Sequence, residues 1–277
     1  MRSRFPVARV SALVALAVAI FLITQRASGT HWRALRPGVE FTTLRGEPYC
    51  RSGSAAIAAL RLDPARVQLR VRHYSQESEG RPLDVLDWQR RTGALAVFNA
   101  GQYYADLSYM GLLASGGRVI SRRVHPSFRA ALVAAPRGGG LAARVVDLAV
   151  TPLDPDSLRW EEVAQSFMLF DRAGNVRVRH SDQVAHRTAV AEDRRGRLVV
   201  LTSEGGYTLW DFAQLLKASP LELSHAMAMD GGLEAELVVS TGRFRYASFG
   251  EWPPDGTGRP APEPPVRLPA VVTVVAP

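Results

Sequence analysis

The sequence predicts an α/β fold of the α+β kind, with mixed β-sheets, flanking helices and a single domain. Three observations carry this expectation. Short apolar runs are separated by Asp-Pro, Ala-Gly-Asn and Asp-Arg-Arg-Gly turns, which is the punctuation of strands. Only two stretches, around residues 82–92 and 208–219, place apolar side chains at helical spacing. The chain then closes on a last apolar run, AVVTVVA, which reads as a buried strand. No internal repeat is present, and 277 residues suffice to bury a core without disulfides.

Taken in order, SAAIAALRL and VQLRVRHYS read as two strands of a hairpin around Asp63-Pro64. A helix follows, with Pro82 at its first position, Leu83, Leu86 and Arg90 on helical spacing, and Gly93 as its stop. ALAVF is a short buried strand ending at Asn99-Ala100-Gly101, and GRVIS is another strand. The stretch from Phe128 to Val150 alternates weakly around the glycines at 138–140, which lack the Gly-Lys-Ser/Thr of a P-loop and read as a turn. SFMLFDRAGNVRV reads as strand, turn and strand, and HRTAVAEDRRGRLVVLTSEGG as a hairpin. Thr208 and Asp211 form a capping-box-like start to a second helix, which Pro220 ends. The stretch at 253–269 is proline-rich and reads as an extended surface strap, after which the C-terminal strand returns to the main sheet.

Arg2, Arg4 and Arg9 precede an apolar run at 10–24, and Arg26 closes it. This is the pattern of an export signal, with Ala27-Ser28-Gly29 offering small residues for cleavage. The run is short beside the about 20 apolar residues of a membrane span, so an uncleaved N-terminal anchor is the alternative. Either way the expectation is that residues 30–277 are exported, periplasmic or secreted, with membrane attachment only in the anchored case. The formal charge of +8 falls to about +4 once the four arginines of that segment are set aside. No basic stripe interleaved with aromatics accompanies it, which argues against a nucleic-acid partner. Cys50 is the sole cysteine, so no internal disulfide forms, and a buried thiol is expected.

The sequence has no Gly-x-Ser-x-Gly elbow and no His-Glu-x-x-His helix. His125 and His186 read as surface or structural residues. No metal site is expected from spacing, although loop carboxylates and carbonyls could hold calcium. Four polar punctuations at strand ends remain. They are Asn99 with Gly101, Arg187 with Thr188, Glu204 before two glycines, and Asp230 before Gly231 and Gly232. Functional groups concentrate at such ends, where a rigid scaffold fixes them. Taken alone, Asp-Gly at 230–231 is equally a hairpin signal. Glu236 points the same way as Glu234 if this segment is a strand, and then lies on a solvated face.

These segments, in this order, resemble the phosphodiester glycosidase family. The Asn-Gly-type motif is matched by Asn99-Ala100-Gly101, the Arg-Thr-Ala strand by Arg187-Thr188-Ala189, the following helix by Thr208 to Leu216, and the Ala-x-x-Asp-Gly-Gly motif by Ala228–Gly232 with Asp230 in place. The form NAG-x-Y-x-x-D is closest to the bacterial branch, often labelled exopolysaccharide biosynthesis. Ala100 replaces a family glycine, and Leu233 and Glu234 replace Gly and Ser, as in an Asp-Gly-Gly-x-Glu-Ala subgroup.

The resemblance implies hydrolysis of a sugar-1-phosphodiester at the anomeric carbon. A phosphate leaves readily, so a carboxylate beside the oxocarbenium-like centre matters more than acid assistance. Asp230 is the first choice, as base, nucleophile or stabiliser. Glu204 and Glu234 are candidates for a second carboxylate, and Asp106 is a weaker one. Arg187 would hold the phosphate, Asn99 and Thr188 would position oxygens, and the N–H groups of Gly101, Gly231 and Gly232 would form an anion nest. The substrate expected is a carbohydrate or sugar phosphate. The alternative is a non-catalytic exported protein that binds glycans or assists polysaccharide assembly.

Overall fold

The computed structural model describes residues 30–250, 264 and 266–277. The expected export segment at 1–29 and most of the proline-rich strap lie outside the described residues. The strands begin as β1 (Arg33–Arg36), β2 (Val39–Arg45), β3 (Ser52–Leu62), β4 (Gln68–His73), β5 (Ala96–Asn99) and β6 (Leu113–Ser115). Next come β7 (Arg118–Ser121), β8 (Ala130–Pro136), β9 (Ala143–Asp147), β10 (Trp160–Ser166), β11 (Met168–Phe170) and β12 (Arg187–Asp193). The last are β13 (Leu198–Gly206), β14 (Leu223–Gly231), β15 (Leu237–Ser240), β16 (Arg245–Ser248) and β17 (Ala270–Val275). Among the described residues, two α-helices, α1 (Val85–Thr92) and α2 (Leu209–Ala218), complete the mixed α/β architecture.

The strands form three sheets, ordered β1-β2-β3-β13-β12-β14-β11, β7-β6-β10-β8-β9 and β16-β15-β5-β17-β4. The pairings are antiparallel. Strand alternation explains the layering, because successive side chains point to opposite faces. On β3, Ala58, Leu60 and Leu62 enter a core shared with Leu69, Phe98, Leu132 and Val272, which belong to the other two sheets. Ile57 and Ala59 point the other way and pack against Phe212 and Leu216 of α2. The outer face of the sheet containing β5 is covered by α1 through Val85 and Trp88, packed with Val97 and Val271. Each helix therefore closes one face of a sheet whose other face enters the common core.

Several local expectations hold, and others are corrected. Asp193-Arg194-Arg195-Gly196 turns β12 into β13, and Thr208 caps α2 by accepting the Asp211 N–H at 3.0 Å. Asp63 does make a turn, but β3 pairs with β2 and β13 while β4 pairs with β17, so these strands are not a hairpin. The first helix begins after Asp84, whose carboxylate accepts the Asp87 N–H, and not at Pro82. Leu83 is instead bridged to Leu268, which holds the residues before the cap in an extended form. After the 171–175 turn only Val176 bridges back to Phe170, so no second strand forms there. The C-terminal strand lies between β5 and β4, not in the seven-stranded sheet. Cys50 is half-buried, its thiol donating to the Ser52 carbonyl at 3.2 Å.

Candidate active site

The ends of β5, β12 and β14 meet where the seven-stranded sheet abuts the sheet containing β5. Asp230, near the end of β14, donates its N–H to the Ala100 carbonyl at 3.0 Å. The Asn99 side chain joins the same junction: its Nδ2 donates to the carbonyls of Asp230 (3.0 Å) and Ala100 (3.1 Å), and its Oδ1 accepts the Glu236 N–H (3.2 Å). Asn99 is buried, with both amide hydrogens and its oxygen bonded to main chain, so it fixes Asp230 and Glu236, and it does not line the cleft beside Asp230.

Beyond β14 the chain makes a single 3-10 turn, Gly232–Glu234, which brings Glu234 beside Asp230. Gly232 sits at φ +75°, in the left-handed region that a side chain disfavours. Asp230, Glu234 and Arg187 line one cleft of about 360 Å³, together with Gln102, Gln183 and Leu209. Burial, followed by the negative charge of Glu234, raises the Asp230 carboxyl to about 7, and the N–H of Gly231 and the charge of Arg187 oppose this. Burial likewise pushes the Glu234 carboxyl up.

Arg187 stands opposite Gly231 in the β12–β14 register. Its Nε donates to the Tyr207 carbonyl (2.9 Å) and its Nη2 to the Gln183 carbonyl (2.7 Å). These bonds set the guanidinium plane, and Nη1 stands 3.2 Å from where a Cβ on Gly231 would lie. Burial lowers its pKa to about 10, which leaves it cationic at neutral pH. A buried, oriented guanidinium that lines one cleft with two carboxyls can hold an anion there through its paired N–H donors.

Of the other sequence candidates, Gly231 and Gly232 line the cleft, whereas Glu204, Asp106, Thr188 and Gly101 do not. Glu204 accepts the Tyr246 hydroxyl at 2.7 Å, and Tyr246 packs against the common core. Its neighbour Ser203 points to the opposite face and accepts the Arg187 N–H. Asp106 is exposed and closes a turn on Ser108, whose N–H and hydroxyl hold its carboxyl below the ordinary range. Thr188 is buried on the strand and does not line the cleft. The anticipated anion nest is not formed. Gly101 N–H donates to the Tyr109 hydroxyl, Gly231 N–H to Asp230 Oδ1, and Gly232 N–H to the His186 carbonyl. Gly101 is instead a packing glycine, since a Cβ there would lie 2.4 Å from the Tyr109 hydroxyl. Among the described residues no group of three or more His, Cys, Asp or Glu side chains is placed to hold a metal ion.

The sequence profile of the phosphodiester glycosidase family matches residues 92–264, which include every residue of this cleft. The chain belongs to the phosphodiester glycosidase family. No curated protein matches its sequence. The fold is similar to the catalytic domain of zebrafish N-acetylglucosamine-1-phosphodiester α-N-acetylglucosaminidase, auto-inhibited by its pro-peptide. The two share 17% identity and a TM-score of 0.64 over 90% of this chain and 87% of that one. A hypothetical protein from Synechocystis is similar at 13% identity and a TM-score of 0.61, over 90% of this chain and 64% of that one. At these identities the likeness is one of fold.

Three groups in or around this cleft escape sequence reasoning. Gln102 donates to the Met229 carbonyl (3.3 Å) and accepts from Ser166, and its place directly after the Asn-Ala-Gly motif was the available signal. Gly250 packs on the Asp-Gly-Gly turn so closely that a Cβ would lie 1.9 Å from the Gly232 carbonyl oxygen. Glu236 is fully buried, not on a solvated face, because the 3-10 turn breaks the strand alternation on which that expectation stood.

Proposed function

We propose that the protein is an exported hydrolase that cleaves a glycosyl-1-phosphodiester at the anomeric carbon, with Asp230 and Glu234 as its carboxylate pair. The observation that carries this reading is the convergence of those two carboxyls with the oriented Arg187 guanidinium in one cleft. Arg187 holds the phosphodiester anion through Nη1. The ionised Asp230 faces the anomeric carbon as positive charge develops there. The bond between that carbon and the phosphate oxygen breaks, and its electron pair leaves with the phosphomonoester. Water attacks the carbon, and Glu234 takes its proton.

The test is hydrolysis of a panel of glycosyl-1-phosphodiesters by the purified protein. Asp230→Asn is expected to lower kcat by at least about 100-fold, the range of a lost proton-transfer or charge-stabilising group. Turnover retained in that variant would refute the assignment. The alternative reading, a glycan-binding protein without turnover, draws on the three engaged glycine N–H groups, which leave Arg187 as the anion's main contact. It predicts glycan binding without hydrolysis across the panel. Export is tested by fractionating cells that carry the full chain, with recovery in the cytoplasm counting against it.

A further inference from the structure

A second cleft, of about 510 Å³, adjoins the site and is lined by Arg51, His180, Asp182, Thr208, Trp210 and Asp211. The two clefts share one wall. In the extended segment that runs into β12, Gln183, Ala185 and Arg187 line the first cleft, while Asp182 and Val184 line its neighbour. This is the two-faced alternation of an extended chain. The segment is held in place by paired main-chain bonds between Ala185 and Tyr207, of 3.1 and 2.9 Å. The start of α2 is divided in the same way, Leu209 facing one cleft and Thr208 and Trp210 the other. Arg187 therefore stands on the wall between them, and a chain attached beyond a phosphate bound there has this cleft to enter.

The chemistry of the second cleft suits a hydroxyl-rich, uncharged ligand. His180 stacks on Trp210 with ring centroids 3.7 Å apart, forming an aromatic platform on which the C–H face of a sugar can lie. Arg51 is committed to Asp211 through bonds of 2.8 and 3.1 Å, so it is balanced there and does not draw an anion. The exposed Ser181 and Asp182 supply a hydroxyl and a carboxylate to sugar hydroxyls.

We propose that the Trp210–His180 cleft is a saccharide subsite on the leaving-group side, and that the substrate is an oligomeric glycan spanning both clefts rather than a small diester. The proposal rests on the glycosidase reading of the neighbouring cleft. The experiment compares sugar-1-phosphodiesters whose leaving group is a methyl phosphate with those carrying a neutral trisaccharide phosphate. The trisaccharide form is expected to show a KM about five- to tenfold lower, the worth of one good aromatic contact. Trp210→Ala and, independently, His180→Ala, which removes the other ring of the stack, are expected to erase that advantage. Equal KM values in the wild type, or an advantage that survives Trp210→Ala, would overturn the subsite. If Trp210→Ala does not fold, His180→Ala, at an exposed residue, decides alone. If no diester is hydrolysed, the glycosidase reading falls, and calorimetric binding of the trisaccharide form decides the subsite. Binding weakened about fivefold by these variants supports it, and binding that is absent or indifferent to them overturns it.

Discussion

Asp230 and Glu234 compete for ionisation, because burial disfavours the charge on each and the charge of Glu234 further disfavours that of Asp230. With Asp230 raised to about 7, its ionised form predominates only above that pH. If the carboxylate is the working form, kcat/KM rises as pH increases through about 7. Glu234→Gln removes the negative neighbour, so the limb of the residual activity should move to lower pH. A limb that falls through the same range, or one that does not move in the variant, would contradict these roles. Glu236 lies close by in sequence but differs in kind. It is fully buried, neither of its carboxylate oxygens has a hydrogen-bond partner among the described residues, and burial raises it to about 9. The folded chain therefore binds this proton more tightly than the unfolded chain. The associated stability is complete below about pH 4.5 and is lost progressively as pH rises toward about 9. Glu236→Gln should flatten that part of a Tm-versus-pH curve between pH 5 and 9, and parallel curves would show that Glu236 is already ionised.

The turn Gly232–Glu234 is the element on which the site depends, and what shapes it comes from elsewhere in the chain. Gly250 supports it from outside the cleft, and a Cβ there would collide with main-chain atoms of Gly232 and Leu233, which cannot rotate away as a side chain can. Gly250→Ala is therefore expected to displace Glu234 and lower kcat at least about tenfold, by the loss of positioning, although residue 250 does not line the cleft. An unchanged kcat with a normal Tm would show that the turn yields. The Asp-Gly-Gly stretch announced a strand end followed by special backbone, and that much was legible locally. That Asn99 serves as a main-chain clamp was not, because its partners Asp230 and Glu236 lie more than 130 residues away. Glu204 and Asp230 look alike in sequence, each preceding two glycines, and only the pairing of the strands sends Glu204 to Tyr246 and Asp230 to the cleft.

Across the whole molecule, what could be read in advance was what neighbours in sequence decide. The hairpin of β12 and β13, the Thr208 cap and the Gly93 stop all follow from local backbone chemistry. Partner choice over long distances was not legible, which is why β3 and β4 look like a hairpin yet enter different sheets. The C-terminal strand shows the consequence. Residues 270–275 pair on one side with β4 and on the other with β5, the strand that ends at Asn99. Val271, Val272 and Val274 are buried there, at roughly 1.5–3 kcal/mol each. Their sum is comparable with the whole stability of an ordinary domain, about 5–15 kcal/mol. Removing this strand would also expose the edges of β4 and β5 and free the support under Asn99. A chain ending at residue 269 is thus expected to lack a cooperative thermal transition by circular dichroism and to have no hydrolytic activity. A cooperative transition in that truncated chain would mean that β5 and β4 close on each other without β17, and that Asn99 keeps its hold on Asp230 by another route.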